Sequence, residues 1–338
     1  MKVAIINDTR PTNHYGCRLV MENTIRLLAE LGVEVVWTWP VSVDWRKHRR
    51  KLLSMPSVDA IIINGEGTIH HNTERKFSQA LIDFADFSET HLRKPCYLIN
   101  ATLHANSKDA YNELSRFRAI FVRDRASLKE LDNSGNCSGY YVPDMTFASN
   151  PAHRDSYSPS KPLIVIDSAV KKDSEKLRNF ASENGGDFRS MVVARVSNAR
   201  FIRSPRPWIK NVIRFLVSDR NISVDPNSYI ADLRKYELVV TGRYHTVTMC
   251  IKNRIPFISL ESNTPKVNSL LNDVFGNAQR SIGIEALGTE VLQDFSTFED
   301  EELRAISNFT SSAENSIRNM IASIKRDIEN GTQGAFRF

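Results

Sequence analysis

An arginine and a histidine lie two residues apart in the segment Thr241-Gly242-Arg243-Tyr244-His245, directly after an apolar run. The pattern predicts a buried strand over residues 237–241 and a helix that begins at about residue 244. The first N–H groups of that helix and the guanidinium of Arg243 would surround one point, which suits an anion. His245 adds a group that exchanges protons near neutral pH. A salt-bridging arginine and a space-filling histidine are the alternative.

Lys266 follows the next predicted strand, residues 256–260. Neighbouring parallel strands end at the same edge of a sheet, so Lys266 is expected beside Arg243 and His245.

A second polar loop, Asn64-Gly65-Glu66-Gly67, follows the most apolar predicted strand, residues 59–63. The two glycines allow a ligand to come close to the backbone, and Glu66 is a candidate base or hydroxyl-binding group. The loop lacks the lysine of a phosphate-binding P-loop. A tight turn with no ligand is the alternative.

Two weaker candidates also follow strands. The loop from Asn13 to Gly16 leads into a helix and could receive an anion or hydroxyl groups, although it has no GxGxxG pattern. Arg123 lies at the end of a predicted strand, where it suits a carboxylate or phosphate, and Asp124 is expected to cap the next helix. A plain turn and a capped helix with a surface arginine are the alternatives.

Apolar strands alternate with helical patterns along most of the chain, which predicts an α/β protein with parallel sheets covered on both faces. The irregular segment 149–161 divides the alternation into two halves. We therefore predict two Rossmann-like, doubly wound domains facing a central cleft. The expected divisions are a domain over 1–148, a linker over 149–161, a domain over 162–300, a helix over 301–330 that packs back, and a flexible tail over 331–338.

The formal net charge of +6 and the pI of about 9.1 fit a protein that handles phosphates or carboxylates. No block of basic residues accompanies this charge, so nucleic acid is not an expected partner. The four cysteines form no CxxC pair, and His70 and His71 are adjacent and not expected to face one site, so no metal is predicted. The sequence has no apparent signal peptide or apolar run long enough to span a membrane, and a cytoplasmic protein is expected.

The sequence resembles the polysaccharide pyruvyltransferase family. The resemblance is carried by the run from Tyr236 to His245, the segment 255–260 that begins with Ile-Pro, and Lys266. Weaker similarities are the Asn13–Gly16 loop, the Asn64–Gly67 loop and the segments 123–127 and 142–144. Two positions depart from the family pattern: Glu66 stands within a usual glycine triplet, and Cys17 stands where an acidic residue commonly follows the glycine.

The resemblance implies a GT-B-like fold and phosphoenolpyruvate as a co-substrate, with no separate cofactor. It places the donor on the second domain, held by Arg243, His245 and Lys266, and less surely by Arg123. The acceptor, a sugar of a cell-surface polysaccharide or its lipid-linked precursor, is expected on the first domain. The candidate acceptor-binding residues are Asn13, Gly16, Asn64, Gly65 and Gly67.

A pyruvate ketal forms when C3 of the enol is protonated, sugar hydroxyls attack C2 and phosphate leaves. His245 is the candidate acid, and Asp144 or Glu66 could activate the hydroxyl. The alternative is a GT-B glycosyltransferase in which the same cations bind a nucleotide sugar; a non-catalytic module of a surface-glycan pathway is a third. The basic charge also allows peripheral contact with the inner face of the cell membrane. Residues 303–328 could touch lipid there, or brace the N-terminal domain instead. The oligomeric state is not predicted.

Overall fold

The computed structural model describes residues 1–135, 137–148, 157–170, 172–193, 205–217, 225–261 and 264–338. These residues form two compact units. Unit 1 contains Met1–Pro11, Met21–Ala148 and Ser311–Phe338, and unit 2 contains Thr12–Val20 and Ser149–Thr310.

Unit 1 is built on a six-stranded parallel sheet with the strand order β2-β1-β3-β4-β5-β6. The strands are β1 (Lys2–Asp8), β2 (Glu34–Pro40), β3 (Ala60–Glu66), β4 (Cys96–Ala101), β5 (Ala119–Val122) and β6 (Tyr140–Tyr141). The helices between them are α1 (Tyr15–Glu30), α2 (Arg49–Leu53), α3 (Lys76–Ile82), α4 (Phe84–Phe87), α5 (Lys108–Leu114) and α6 (Arg125–Ser134).

Continuous apolar strands form the centre of this sheet. Every residue of β3 is buried, and so is every residue of β4. Side chains on successive residues of a strand point to opposite faces, so a strand without polar alternation must be covered on both sides. Helices supply that cover, and the strand ends, where polar residues begin, are left to hold functional groups.

Unit 2 is built on a five-stranded parallel sheet with the order β11-β10-β9-β7-β8. Its strands are β7 (Lys161–Ser168), β8 (Asp187–Arg189), β9 (Tyr236–Gly242), β10 (Phe257–Leu260) and β11 (Ser281–Ile282). The helices are α7 (Asp173–Glu183), α8 (Pro205–Val217), α9 (Pro226–Leu233), α10 (Tyr244–Asn253), α11 (Lys266–Phe275), α12 (Thr289–Asp294) and α13 (Asp300–Glu329), whose residues from Ser311 onward belong to unit 1. The predicted fold class, two parallel-sheet α/β domains, is confirmed.

Several local predictions differ from the structure. The strand expected over residues 191–196 is replaced by β8, which ends at Arg189, because residues 190 and 191 turn to hydrogen-bond to Asp167; residues 194–196 lie outside the described residues. The helix expected over 74–88 is divided into α3 and α4, followed by a π-helical turn, Ser88–Leu92. The linker expected at 149–161 is described only from residue 157, and β7 already begins at Lys161.

The C-terminal tail also differs from the prediction, which expected residues 331–338 to be flexible. The rings of Phe336 and Phe338 both contact Phe121 and Tyr140, at centroid distances between 5.0 and 5.8 Å. Arg118 donates a hydrogen bond to the carbonyl of Gly334. Aromatic packing against the β5–β6 edge therefore holds the tail on unit 1.

The long helix α13 buries one apolar face. Ile317, Ile321 and Ile324 are all buried, at the i, i+4, i+7 spacing of one helical face. This face is covered by protein and offers no surface to lipid. No helix of the described part of the chain combines the length and apolarity needed to cross a bilayer.

A carboxylate near the end of α13 ties the helix to the sheet of unit 1. Asp327 accepts hydrogen bonds from Tyr97 Oη at 2.6 Å and from Arg118 Nε and Nη2 at 2.8 and 2.6 Å. Burial alone would raise the pKa of Asp327, but these donors lower it overall. The carboxylate therefore stays charged, and its stabilising effect is lost as the pH falls through that lowered pKa.

We predict that Asp327→Ala lowers the stability of unit 1 by about 2–3 kcal/mol, because it leaves the Arg118 guanidinium without its carboxylate. Thermal melting should show a decrease of about 5 °C or more. The control is Glu329→Ala on the same helix, whose exposed pair with Lys325 spans 3.5 Å and contributes less than about 0.5 kcal/mol. Equal effects of the two variants would contradict the role given to Asp327.

Candidate functional site

The end of strand β9 is pressed against the end of β7. Gly242 pairs with Ser168, and a Cβ on Gly242 would lie 2.4 Å from Ser168 Oγ and 2.8 Å from its Cα. No larger residue fits at this position without moving the backbone. The close approach of the two strands fixes the point at which the chain leaves β9, and therefore the position of Arg243.

Arg243 is held by a carboxylate at the end of β7. Its Nε lies 2.9 Å from Asp167 Oδ1, and its Nη2 lies 2.7 Å from Asp167 Oδ2, which is a two-point pair. Asp167 is itself fixed by Ser190 Oγ at 2.7 Å and by the N–H of Met191 at 3.0 Å. Within the described residues, no hydrogen bond uses Nη1 of Arg243, so that edge of the guanidinium can meet a ligand.

Arg243 is also the N-cap residue of α10, and its own side chain makes no capping hydrogen bond to the first turn. The first N–H groups of a helix have no partner within the helix, and the helix dipole makes this end positive. His245 is the second residue of α10 and is buried. The arrangement brings a cation, a helix N-terminus and an imidazole to one place, as the sequence predicted for these residues.

Lys266 is the first residue of α11, which follows β10, the neighbour of β9 in the sheet. The positive charge of Lys266 acts at the same place, because it helps to lower the pKa of the His14 imidazole. Burial, followed by the positive charges of His245, Arg243 and Lys266, holds the pKa of His14 well below its usual range. His14 is therefore neutral at neutral pH.

The loop that carries His14 belongs to unit 2, although it follows the first strand of unit 1. The carbonyl of Asn13 accepts a hydrogen bond from the N–H of Val193 at 2.9 Å, and residues 14 and 192 form an antiparallel bridge. The ring of Tyr15 stacks on Tyr229 at 4.3 Å. These contacts fix the loop beside the N-terminus of α10.

Gly16 lets this loop approach His245. A Cβ on Gly16 would lie 2.1 Å from the Cβ of His245, too close for any side chain. The rings of His14 and His245 meet edge to face, with centroids 5.5 Å apart. Asn13 and Gly16 were predicted to bind the acceptor on the N-terminal half; the structure places both with Arg243 and His245.

The ligand-type atoms of His14, Cys17 and His245 lie within 4.8 Å of one another, a spacing that a divalent ion could use. The surrounding field opposes this, because the positive charges of Arg243 and Lys266 reach the same point. An anion gains from that field, whereas a second cation is repelled by it. These charges favour an anion over a cation at this place, and we call Arg243, His245, Lys266 and His14 the anion site.

Unit 1 has a separate polar cluster at the carboxyl ends of its strands. Glu66 ends β3 and is buried; its Oε1 accepts hydrogen bonds from Thr9 Oγ1 at 2.5 Å and from Asn64 Nδ2 at 2.9 Å. Gly65 is needed for packing, because a Cβ there would lie 2.6 Å from the Cβ of Ala101. Gly67 follows directly after the strand. We call this the Glu66 cluster.

Backbone strain is concentrated in the same strands. Asn7, Glu66 and Asn100 have φ values of 67°, 41° and 57°, and they lie near the ends of the adjacent strands β1, β3 and β4. Each such residue costs about 1–3 kcal/mol, and strain of this kind concentrates at ligand sites. Asn64 Oδ1 and Asn100 Nδ2 are buried and make no hydrogen bond within the described part of the chain. Such groups suit the hydroxyls of a bound sugar.

Arg123 and Asp144 form a buried ion pair in unit 1. Arg123 Nη1 lies 2.8 Å from Asp144 Oδ2, and the side chains are 2% and 0% exposed. Arg123 Nε donates to Thr102 Oγ1, and Asp144 Oδ1 accepts from the N–H and the hydroxyl of Thr146. The pair serves the folding of unit 1, so the structure gives no support to Arg123 as a donor ligand or to Asp144 as a base.

His70 and His71 correct one assumption made from the sequence. Adjacent residues were expected to face apart, but their Nδ1 atoms lie 2.8 Å apart, because His71 has a left-handed backbone with a φ of 49°. They are not part of a group of metal-ligating residues in the described chain.

The sequence analysis missed three residues of these sites. Asp167 is a lone acidic residue directly after the apolar run of β7, and this position could have indicated its role. His14 lies in a loop that was considered, but its contact with His245 depends on the chain returning to the other unit. Asn100 has no sequence signal, because its left-handed backbone is set by the tertiary structure.

Comparison with known proteins identifies the family. The model of polysaccharide pyruvyl transferases matches residues 14–264, well over half of the chain. The chain belongs to the polysaccharide pyruvyl transferase family. The match includes His14, Glu66, Arg243 and His245, although Lys266 lies just beyond it, and a transferase is supported. No curated protein sequence matches the chain significantly.

Solved structures of several other proteins share this fold. The UDP-N-acetylglucosamine 2-epimerase of Methanocaldococcus jannaschii, solved with UDP-GlcNAc and UDP, has a TM-score of 0.56 and 11% identity, over 92% of this chain and 100% of that one. A Listeria monocytogenes protein described as the same kind of epimerase has a TM-score of 0.57 and 12% identity, over 100% of this chain and 99% of that one. The trehalose 6-phosphate synthase of Burkholderia multivorans has a TM-score of 0.52 and 10% identity, over 100% of this chain and 99% of that one. At these identities the likeness shows the GT-B-like fold alone.

We predict that Gly16→Ala weakens anion binding, because the added methyl must push the loop away from His245. Overpacking of this kind costs about 1–3 kcal/mol. The control is Gly283→Ala, at a position with a φ of −66° and no atom within 4 Å of the added Cβ. Isothermal titration with phosphoenolpyruvate should show a loss of affinity of about tenfold or more for the first variant only. Unchanged affinity in Gly16→Ala would contradict the described contact.

Proposed function

We propose that the protein transfers the pyruvyl group of phosphoenolpyruvate to a sugar of a cell-surface polysaccharide, or to its lipid-linked precursor, as a ketal. One observation carries the proposal: Arg243, oriented by Asp167, lies at the N-terminus of α10 beside His245. Arg243 and His245 are among the residues through which the sequence resembles the family, and the family match includes both.

The charges of the anion site suit this donor. Phosphoenolpyruvate carries a carboxylate and a phosphate on one small carbon skeleton. Arg243 Nη1, Lys266 and the first N–H groups of α10 provide more than one positive group for them. Binding both anions would fix the enol between them, which is how positioning and charge contribute to such a reaction.

His245 is the proposed acid for C3 of the enol. It is buried at the second position of α10, next to the groups proposed to hold the anions. Protonation of C3 makes C2 electrophilic, and a sugar hydroxyl then attacks C2. A positioned acid of this kind typically contributes a factor of about 10²–10⁴ in rate.

The Glu66 cluster is the proposed acceptor site. Its carboxylate, amide and hydroxyl groups are of the kinds that bind sugar hydroxyls. The buried atoms Asn64 Oδ1, in the cluster, and Asn100 Nδ2, on the adjacent strand, make no hydrogen bond within the described chain. Glu66 is a better candidate for the base than Asp144, because Asp144 is occupied by Arg123. Asn64 and Asn100 would orient the hydroxyls.

The test is release of phosphate from phosphoenolpyruvate with a panel of sugar acceptors. We expect acceptor-dependent release by the wild type and a decrease of about 100-fold or more in His245→Ala. His91→Ala is the matched control, because His91 is an exposed histidine of unit 1. If His245→Ala releases phosphate at the wild-type rate, the role of His245 is wrong.

A GT-B glycosyltransferase is the second candidate, favoured by the fold likeness to an epimerase solved with UDP-GlcNAc and to a trehalose 6-phosphate synthase. In that case the anion site would hold the diphosphate of a nucleotide sugar. Thermal melting distinguishes the two, since a ligand stabilises the state that binds it. Stabilisation by nucleotide sugars but not by phosphoenolpyruvate would replace the first candidate with the second.

We further propose that α8 contacts an anionic membrane surface. Ile209, Ile213 and Leu216 lie on one side of this helix and are 48%, 56% and 62% exposed. The helix sequence also contains three basic residues and no acidic one. Exposed apolar residues on a basic helix are typical of helices that lie in the membrane interface, where a lipid-linked acceptor would be found.

Vesicle flotation tests this contact. We expect the wild type to float with vesicles that contain phosphatidylserine, and the double variant Ile213→Glu/Leu216→Glu to stay in the lower fraction. Leu53→Glu is the control, because Leu53 is similarly exposed, at 55%, but lies in unit 1. Absence of the wild type from the floating fraction would refute membrane contact without touching the proposed reaction.

A further inference from the structure

His14 is a second imidazole in the anion site. It meets His245 edge to face at 5.5 Å, and the charges of Arg243 and Lys266 act on it directly. Its position is built rather than incidental. Its own segment bridges to residue 192, and Gly16 permits the contact with His245. The N–H of Cys17 lies 3.4 Å from His14 Nδ1, which orients the ring at the start of α1.

The proton balance of the reaction requires two transfers, and this argument rests on the proposed function. A sugar diol loses two protons when its two oxygens bond to C2. One proton joins C3, which changes from CH₂ to CH₃, and the electron pair of the C2–C3 double bond forms the new C–H bond. The other joins the phosphate, which leaves with the electron pair of the broken C2–O bond as HPO₄²⁻. One imidazole serves only one of these transfers at a time.

We propose that His14 is the second proton-transfer residue of the anion site and that it serves the phosphate, while His245 serves C3. His14 takes up a proton when the donor binds, gives it to the leaving phosphate, and regains a proton that an attacking hydroxyl releases. The two edge-to-face rings thus divide the two protons between them.

The surroundings of His14 support this division. Burial and the cations His245, Arg243 and Lys266 hold its pKa low, so it is neutral before the donor binds and able to accept a proton. Arg243 is in turn partly neutralised by Asp167. A bound phosphate adds negative charge beside His14 and raises its pKa. Donor binding should therefore be accompanied by proton uptake, and by linkage the affinity should rise as the pH falls through the raised pKa of His14 in the complex.

The experiment is isothermal titration of the full-length protein with phosphoenolpyruvate in buffers of different ionisation enthalpy, which gives the number of protons taken up. On binding phosphoenolpyruvate, we expect the wild type to take up about one proton more than the His14→Gln variant does. His91→Gln, an exposed histidine of unit 1, should equal the wild type. The histidine ring signals of the wild type, followed by NMR during the same titration, provide a measurement that needs no variant. One ring should titrate below the usual range without the donor and shift towards the protonated form with it.

Equal proton uptake by the wild type and His14→Gln, with phosphoenolpyruvate bound to both, would overturn the role of His14 and leave the proposed donor site standing. A histidine ring that does not change on binding would overturn it as well. Failure of the wild type to bind phosphoenolpyruvate at all would remove the proposed function itself, and this inference with it.

Discussion

The pair between Arg243 and Asp167 determines the geometry on which the anion site depends. Asp167 ends β7, Arg243 follows β9, and the two strands are neighbours in the sheet of unit 2. Ser190 and the N–H of Met191 hold the Asp167 carboxylate in place. If Arg243 turned away, it would lose its two charge-assisted hydrogen bonds to that carboxylate. The remaining edge of the guanidinium is left beside the start of α10. Every other group of the site is placed relative to this fixed cation.

Two glycines make this arrangement possible, each at a different level of structure. Gly242 allows the ends of β7 and β9 to close on one another, and so aligns Arg243 with Asp167. Gly16 allows a segment from the start of the chain to reach His245. The first is a contact within a sheet, and the second joins segments more than 200 residues apart. Both positions exclude a side chain because of distance, not because of a left-handed backbone.

The sequence predicted the sheets, the strand that ends at Gly242 and the cluster of Arg243, His245 and Lys266, because periodicity and strand order are local properties and parallel strands share an edge. It could not predict that the loop of Asn13 and Gly16 joins unit 2, because that depends on pairing with residues 191–193. Arg123 was proposed as functional because it ends a predicted strand, and Asp144 because of the family resemblance, whereas their mutual burial favours a structural role. The strain at Asn7, Glu66 and Asn100 is likewise set by tertiary packing.

The most direct test of the account is a crystal structure of the protein with phosphoenolpyruvate bound. The account predicts the phosphate or carboxylate of the donor within hydrogen-bonding distance of Arg243 Nη1 and the first N–H groups of α10, with His245 facing C3 and the Arg243–Asp167 pair intact. A donor bound elsewhere in the protein, or an Arg243 side chain that leaves Asp167 and points away from the donor, would contradict it.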